Sequence, residues 1–147
     1  MKKELVIAVI LLALLAVFSF WPTPESDEKQ IQRVIDTIES GMEEADLSMV
    51  MKQISEDYSD PQGMSKRAIR GILFQQFRKR GSLGITFSPM GIDIDGNRAN
   101  VSLEALVIEG SLLGLSADAD ALHVEIELHK EDTTWRIVSH TRDSFIE

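Results

Sequence analysis

LHVEIELHKEDTTWRIVSHT, Leu122–Thr141, alternates apolar and polar residues, breaks at Glu131-Asp132-Thr133-Thr134, and resumes. A period of two marks a strand with one buried face, and a short polar break between two such runs marks a hairpin. Leu122, Val124, Ile126 and Leu128 take one face, and His123, Glu125, Glu127 and His129 take the other. In the returning strand Trp135, Ile137, Ser139 and Thr141 are expected to face inward. A two-residue loop places Leu128 against Ile137 and Ile126 against Ser139, so both apolar sets share a side. Arg136, Val138, His140 and Arg142 then join the polar face, with His140 beside Glu125.

Two further strands precede this hairpin. Ile85 and Phe87 are followed by Met90, Ile92 and Ile94, and the phase slips across Ser88-Pro89. Such a slip is the pattern of one long strand bent by a bulge. Asp95-Gly96-Asn97 is a hairpin turn leading into Ala99, Val101, Leu103, Ala105 and Val107.

Upstream the period becomes helical. Ile31, Val34, Ile35, Ile38 and Met42 form one apolar stripe behind a cap at Ser26 or Asp27. A shorter helix reads through Leu47, Val50, Met51 and Ile54 and runs out near Tyr58, before the turn Asp60-Pro61-Gln62-Gly63. Ser65 caps a third helix, with Ala68, Ile69, Ile72, Leu73 and Phe77 inward, and Gly81 ends it. Three helices followed by a bent antiparallel sheet of about four strands make an α+β fold.

The first 24 residues are expected to form a separate unit, a transmembrane helix and linker, with the domain at 25–147. Leu5 to Trp21 runs without a charge, about 25 Å as a helix. Lys2 and Lys3 precede it, Trp21 sits at an interface position and Pro22 stops it. This pattern predicts a single-pass anchor in a bacterial inner membrane, with residues 5–21 in lipid, a cytoplasmic N-terminus and a periplasmic domain. The alternative is a signal peptide cleaved after Val17-Phe18-Ser19, releasing the domain to the periplasm.

The chain carries a net charge of −9 and no cysteine. Thiol catalysis, disulfides and a lipid-modified cysteine are therefore excluded. An acidic domain repels nucleic acid. Lys66, Arg67, Arg70, Arg78, Lys79 and Arg80 form a basic patch, suited to anionic lipid heads or an acidic partner segment, or to the chain's own acidic helices.

The segment EEADLSMVMKQISEDYSDPQGMSKRAIRGILFQQF, with its acidic helix joint, Asp-Tyr-x-Asp turn and basic third helix, resembles the nuclear transport factor 2-like superfamily. The closing TTWRIVSHTRDSF is similar to that superfamily's last strand, and the likeness spans residues 27–147. The resemblance implies a cone: a curled cystatin-like sheet wrapped around the helices, with a pocket inside and an outer sheet face often used for dimers. It implies no single function, because the fold hosts dehydratases, isomerases, binders and assembly modules.

Asp57, Tyr58 and Asp60 are the catalytic candidates, since carboxylates near this joint serve some enzymes of the superfamily. Turn chemistry alone also accounts for them. Tyr58, Phe77, Phe87, Leu103, Ile126 and Trp135 are expected to line the pocket. Leu112, Leu113 and Leu115, in a glycine-flanked loop, suit a lid or a contact surface. His123 and His129 are about 20 Å apart along a strand, too far to share an ion, so neither metal nor cofactor is assigned.

The leading expectation is a membrane-anchored binding or assembly module outside the cytoplasm, with a protein partner or homodimer on the outer sheet face. The alternative is a small-molecule binder or enzyme, isomerase- or dehydratase-like, taking a small apolar ligand in the cone. The interior separates them: a buried Asp or His in a dry pocket favours the second.

Overall fold

The computed structural model of the chain describes residues 2–19, 23–82, 84–107 and 121–143. Among the described residues four α-helices, α1 (Lys2–Ser19), α2 (Asp27–Glu43), α3 (Leu47–Met51) and α4 (Lys66–Arg80), precede four strands, β1 (Ile85–Asp95), β2 (Arg98–Val107), β3 (Ala121–Glu131) and β4 (Thr134–Asp143). The strands form one antiparallel sheet in the order β1-β2-β3-β4.

α2, α3 and α4 each begin where a side chain can satisfy the open N–H groups. Ser26 accepts from the Lys29 amide at 3.3 Å, Asp46 from Met49 at 2.9 Å and Ser65 from Ala68 at 3.3 Å. The stripe of α2 is buried, and Ile31, Ile35, Val101, Leu103, Leu128 and Trp135 form the best-covered part of the core. β1 carries a bulge between Ser88 and Gly91, which bends the sheet over the helices.

The joint differs from the expectation of a helix running toward Tyr58. α3 stops at Met51, and the next residues turn onto the sheet. The Ile137 amide donates to Gln53 O at 2.9 Å and Ser55 N donates to Ile137 O at 2.9 Å. This makes an isolated parallel bridge between Ile54 and Ile137 of β4. An edge strand offers unpaired backbone groups, and here those of β4 capture the joint, so the helix ends.

The expected membrane span is not found. α1 opens with Lys2, Lys3 and Glu4, and its uncharged part, Leu5–Ser19, rises only about 22 Å. The hydrocarbon core of a bilayer is about 30 Å thick. Among the described residues no helix is long and apolar enough to cross a membrane. The single-pass inner-membrane placement, with the domain on the periplasmic side, is corrected accordingly, as is the transmembrane component of the fold. α1 is exposed at every position whose side chain is described, and it packs on no other described element.

Candidate functional site

The site begins with one extra residue in β4. Leu128 lies opposite Ile137, but Glu127 lies opposite Ser139, leaving Val138 as a bulge. Beyond it every pairing moves by one, so His140 faces Ile126 and Arg142 faces Val124. The side-chain period is two, so a one-residue slip exchanges the faces. Ser139 and Thr141, expected inward, stand opposite Glu127 and Glu125; His140 and Arg142, expected outward, line the interior. The His140–Glu125 juxtaposition is corrected by the same shift. The carbonyl of Val138 accepts the Ser59 amide at 3.0 Å, so the bulge also seats the joint.

That joint delivers Tyr58 and Asp60. Asp60 accepts from the Met64 amide through Oδ1 at 2.9 Å, while its backbone carbonyl accepts from Gly63 N at 2.9 Å. Gly63 adopts φ 78°, a left-handed conformation that favours glycine. With Oδ1 engaged in the turn, Oδ2 accepts the Tyr58 hydroxyl at 3.3 Å. It lies 3.9 Å from His140 Nδ1. The Tyr58 hydroxyl also bonds His140 Nδ1, and the rings stack with centroids 6.1 Å apart at 25°.

Protons order this cluster. A phenol has one hydrogen, and a carboxylate only accepts. Tyr58 therefore donates to Asp60 and accepts from His140 Nδ1–H, which leaves Nε2 as the lone-pair nitrogen of a neutral ring. Burial pulls the His140 pKa below the usual imidazole value, and Arg142 adds to this against the opposing pull of Asp60. Burial pushes the Tyr58 phenol well above its ordinary range, and the charge and hydrogen bond of Asp60 push the same way. Near neutral pH the cluster thus holds neutral imidazole and neutral phenol.

Tyr58 and His140 form part of the wall of an apolar cavity of about 160 Å³ between sheet and helices. Ile38, Met42, Leu73, Phe87, Ala105 and Ile126 supply much of the rest. Of the residues expected at the pocket, Tyr58, Phe87 and Ile126 line it. Leu103 and Trp135 are core residues outside its wall, and Phe77 packs half-buried against the core. Asp57 is exposed, its amide donating to Ser55 Oγ at 3.1 Å. The loop of Leu112, Leu113 and Leu115 lies outside the described residues.

The remaining candidates lie apart from the cavity. Lys66 pairs with Glu56 at 2.6 Å; Arg67 and Arg70 border a groove beside α4; Arg78, Lys79 and Arg80 form its exposed last turn. On the outer face His123 bonds Glu125 and His129 bonds Glu127, both at 2.9 Å. Among the described residues no group of three His, Cys, Asp or Glu is placed to hold a metal ion. The sequence reading missed His140 because Ser139, His140, Thr141 and Arg142 are all polar and set no phase beyond Ile137.

No protein-family model matches the sequence, and no curated protein matches it. Solved structures do resemble the fold. An NTF2-like protein from Cytophaga hutchinsonii superposes with a TM-score of 0.68 at 12% identity, covering 82% of this chain and 100% of that one. An NTF2-like protein of unknown function from Pseudomonas putida gives 0.66 at 10% identity, covering 82% and 87%. A protein of unknown function with a cystatin-like fold from Nostoc punctiforme gives 0.62 at 13% identity, covering 82% and 93%. At these identities the likeness concerns the fold, which is NTF2-like, or cystatin-like.

Proposed function

We propose that this chain is a binding module of the NTF2-like fold, whose cone accepts a small apolar molecule carrying one hydrogen-bonding group. The observation behind this reading is the cavity itself: apolar walls, with a Tyr58–His140–Asp60 relay entering at one side. Its volume of about 160 Å³ is smaller than most drug-sized sites. A dry apolar cavity of about 150 Å³ holds benzene. A molecule of about that size, with a hydroxyl or amine to meet the lone pair of His140 Nε2, fits both the space and the chemistry.

Thermal denaturation of the full chain with benzene or phenol tests this. Phenol should raise the melting temperature more than benzene, and His140→Phe should abolish the difference. If neither compound shifts the transition, the reading fails.

A second reading draws on the neutral imidazole. A base held by Tyr58 and Asp60 fits general-base chemistry on a bound carbonyl compound. Deuterium exchange at the α-carbon of cyclohexanone, followed by NMR, should then be accelerated by the parent chain and not by His140→Phe. Equal exchange rates would remove this reading and leave simple binding.

A further inference from the structure

A second concavity lies outside the cone. α3, the joint, the start of α4 and the β3–β4 hairpin enclose an open groove of about 1180 Å³. Leu47, Met51 and Ile54 contribute apolar surface to it. Its basic side chains are Lys52, Lys66, Arg67, Arg70 and Arg136, against the acids Glu56 and Glu131. Both acids are engaged, Glu56 with Lys66 at 2.6 Å and Glu131 with Arg136 at 3.5 Å and the Ser55 hydroxyl. Arg67 and Arg70 are exposed and form no ion pair among the described residues. A positive groove on a chain of net charge −9 runs against the charge of the whole.

We propose that this groove docks an extended acidic peptide segment of a partner protein, with carboxylates at alternate positions and apolar side chains between them. The dimensions favour a peptide. Arg67 and Arg70 are one helical turn apart, with side chains about 5–6 Å from each other. Alternate residues of an extended segment recur about every 6.6 Å on one side. Two carboxylates of the segment can therefore meet two guanidiniums, each able to bind bidentately. The intervening apolar residues point the other way, toward Leu47, Met51 and Ile54. The volume exceeds the about 300–1,000 Å³ of small-molecule sites. Nucleic acid is disfavoured because the acidic remainder of the chain repels a polyanion at longer range.

The test is fluorescence anisotropy of the full chain with a labelled peptide alternating glutamate and leucine. Alternating glutamate–serine and lysine–leucine peptides, and inorganic phosphate as competitor, complete the set. The glutamate–leucine peptide should bind most tightly and weaken with salt. Arg67→Glu with Arg70→Glu should cost about tenfold or more in affinity. Both side chains are exposed, so the melting temperature of that variant reports whether folding is intact. A folded Arg67→Ala/Arg70→Ala variant should lose affinity in the same direction. The proposal is overturned if the reversed variant binds equally, if glutamate–serine binds as well as glutamate–leucine, or if phosphate displaces the peptide at equal charge. Binding of a DNA oligonucleotide in preference to the peptide would overturn it too.

Discussion

Tyr58 and His140, 82 residues apart in the chain, share a hydrogen bond and stack with their ring centroids 6.1 Å apart. One arrives from a joint between helices, the other from a strand whose bulge turns it inward. Their meeting, with Asp60 behind, places a polar relay in the wall of a mainly apolar cavity that Arg142 also borders.

Tyr58→Phe should destabilise the chain by about 1–3 kcal/mol, since it strips a hydroxyl from buried Asp60 and half-buried His140 and adds nothing in return. Urea denaturation measures this. An unchanged midpoint would mean that water or another group replaces the hydroxyl.

Stability should fall on mild acidification. His140 has a folded pKa depressed below its unfolded value of 6.5, mainly by burial. The unfolded chain then binds the proton more readily, so this contribution is present above about pH 6.5 and is lost as pH falls through the folded value. Denaturation midpoints in His140→Phe should lose that part of the pH dependence. Tyr58 acts at the other end, because its folded pKa is raised above 10.0, so stability should also decline as pH rises past that value.

Asp27 ties the start of α2 to the β3–β4 hairpin. It accepts from Trp135 Nε1 at 3.0 Å and pairs with Lys130 at 2.6 Å, contacts that hold its carboxyl below the usual carboxylate range. Asp27→Ala should lower the melting temperature and speed hydrogen exchange at the Trp135 indole, read by NMR. Asp27→Asn should restore part of both.

Gly41→Ala should destabilise despite alanine's better helix propensity. A Cβ there would lie 2.7 Å from Val50 Cγ2, where α2 turns back into α3. Overpacking of this kind costs about 1–3 kcal/mol, against a gain of about 1 from propensity. Val50 is buried, so Val50→Ala alone should also destabilise, but it should cost less in the Gly41→Ala background than in the parent chain, because there it relieves the clash.

Much of the fold is legible from local signals. Ser26, Ser65 and Gly81 mark helix ends because caps and turns act within a few residues. The slip at Ser88-Pro89 reveals the β1 bulge because apolar residues flank it on both sides. The β4 bulge has no such frame. After Val138 the strand is polar on both faces, and hydrophobic spacing cannot report which one turns inward. The apolar spacing likewise carries α3 past its observed end at Met51, since nothing local tells that the edge of β4 takes the backbone of residues 53–55.

The sequence by itself therefore determined the α+β class, the order of elements and most of the core, because periodicity and turn chemistry are encoded between near neighbours. Tertiary structure alone decided the site. Val138 is extruded where the joint offers the Ser59 amide, and that exchange brings His140 to Tyr58 and Asp60. Contacts across about 80 residues depend on how buried polar groups find partners, and the order of residues along one strand does not specify that outcome.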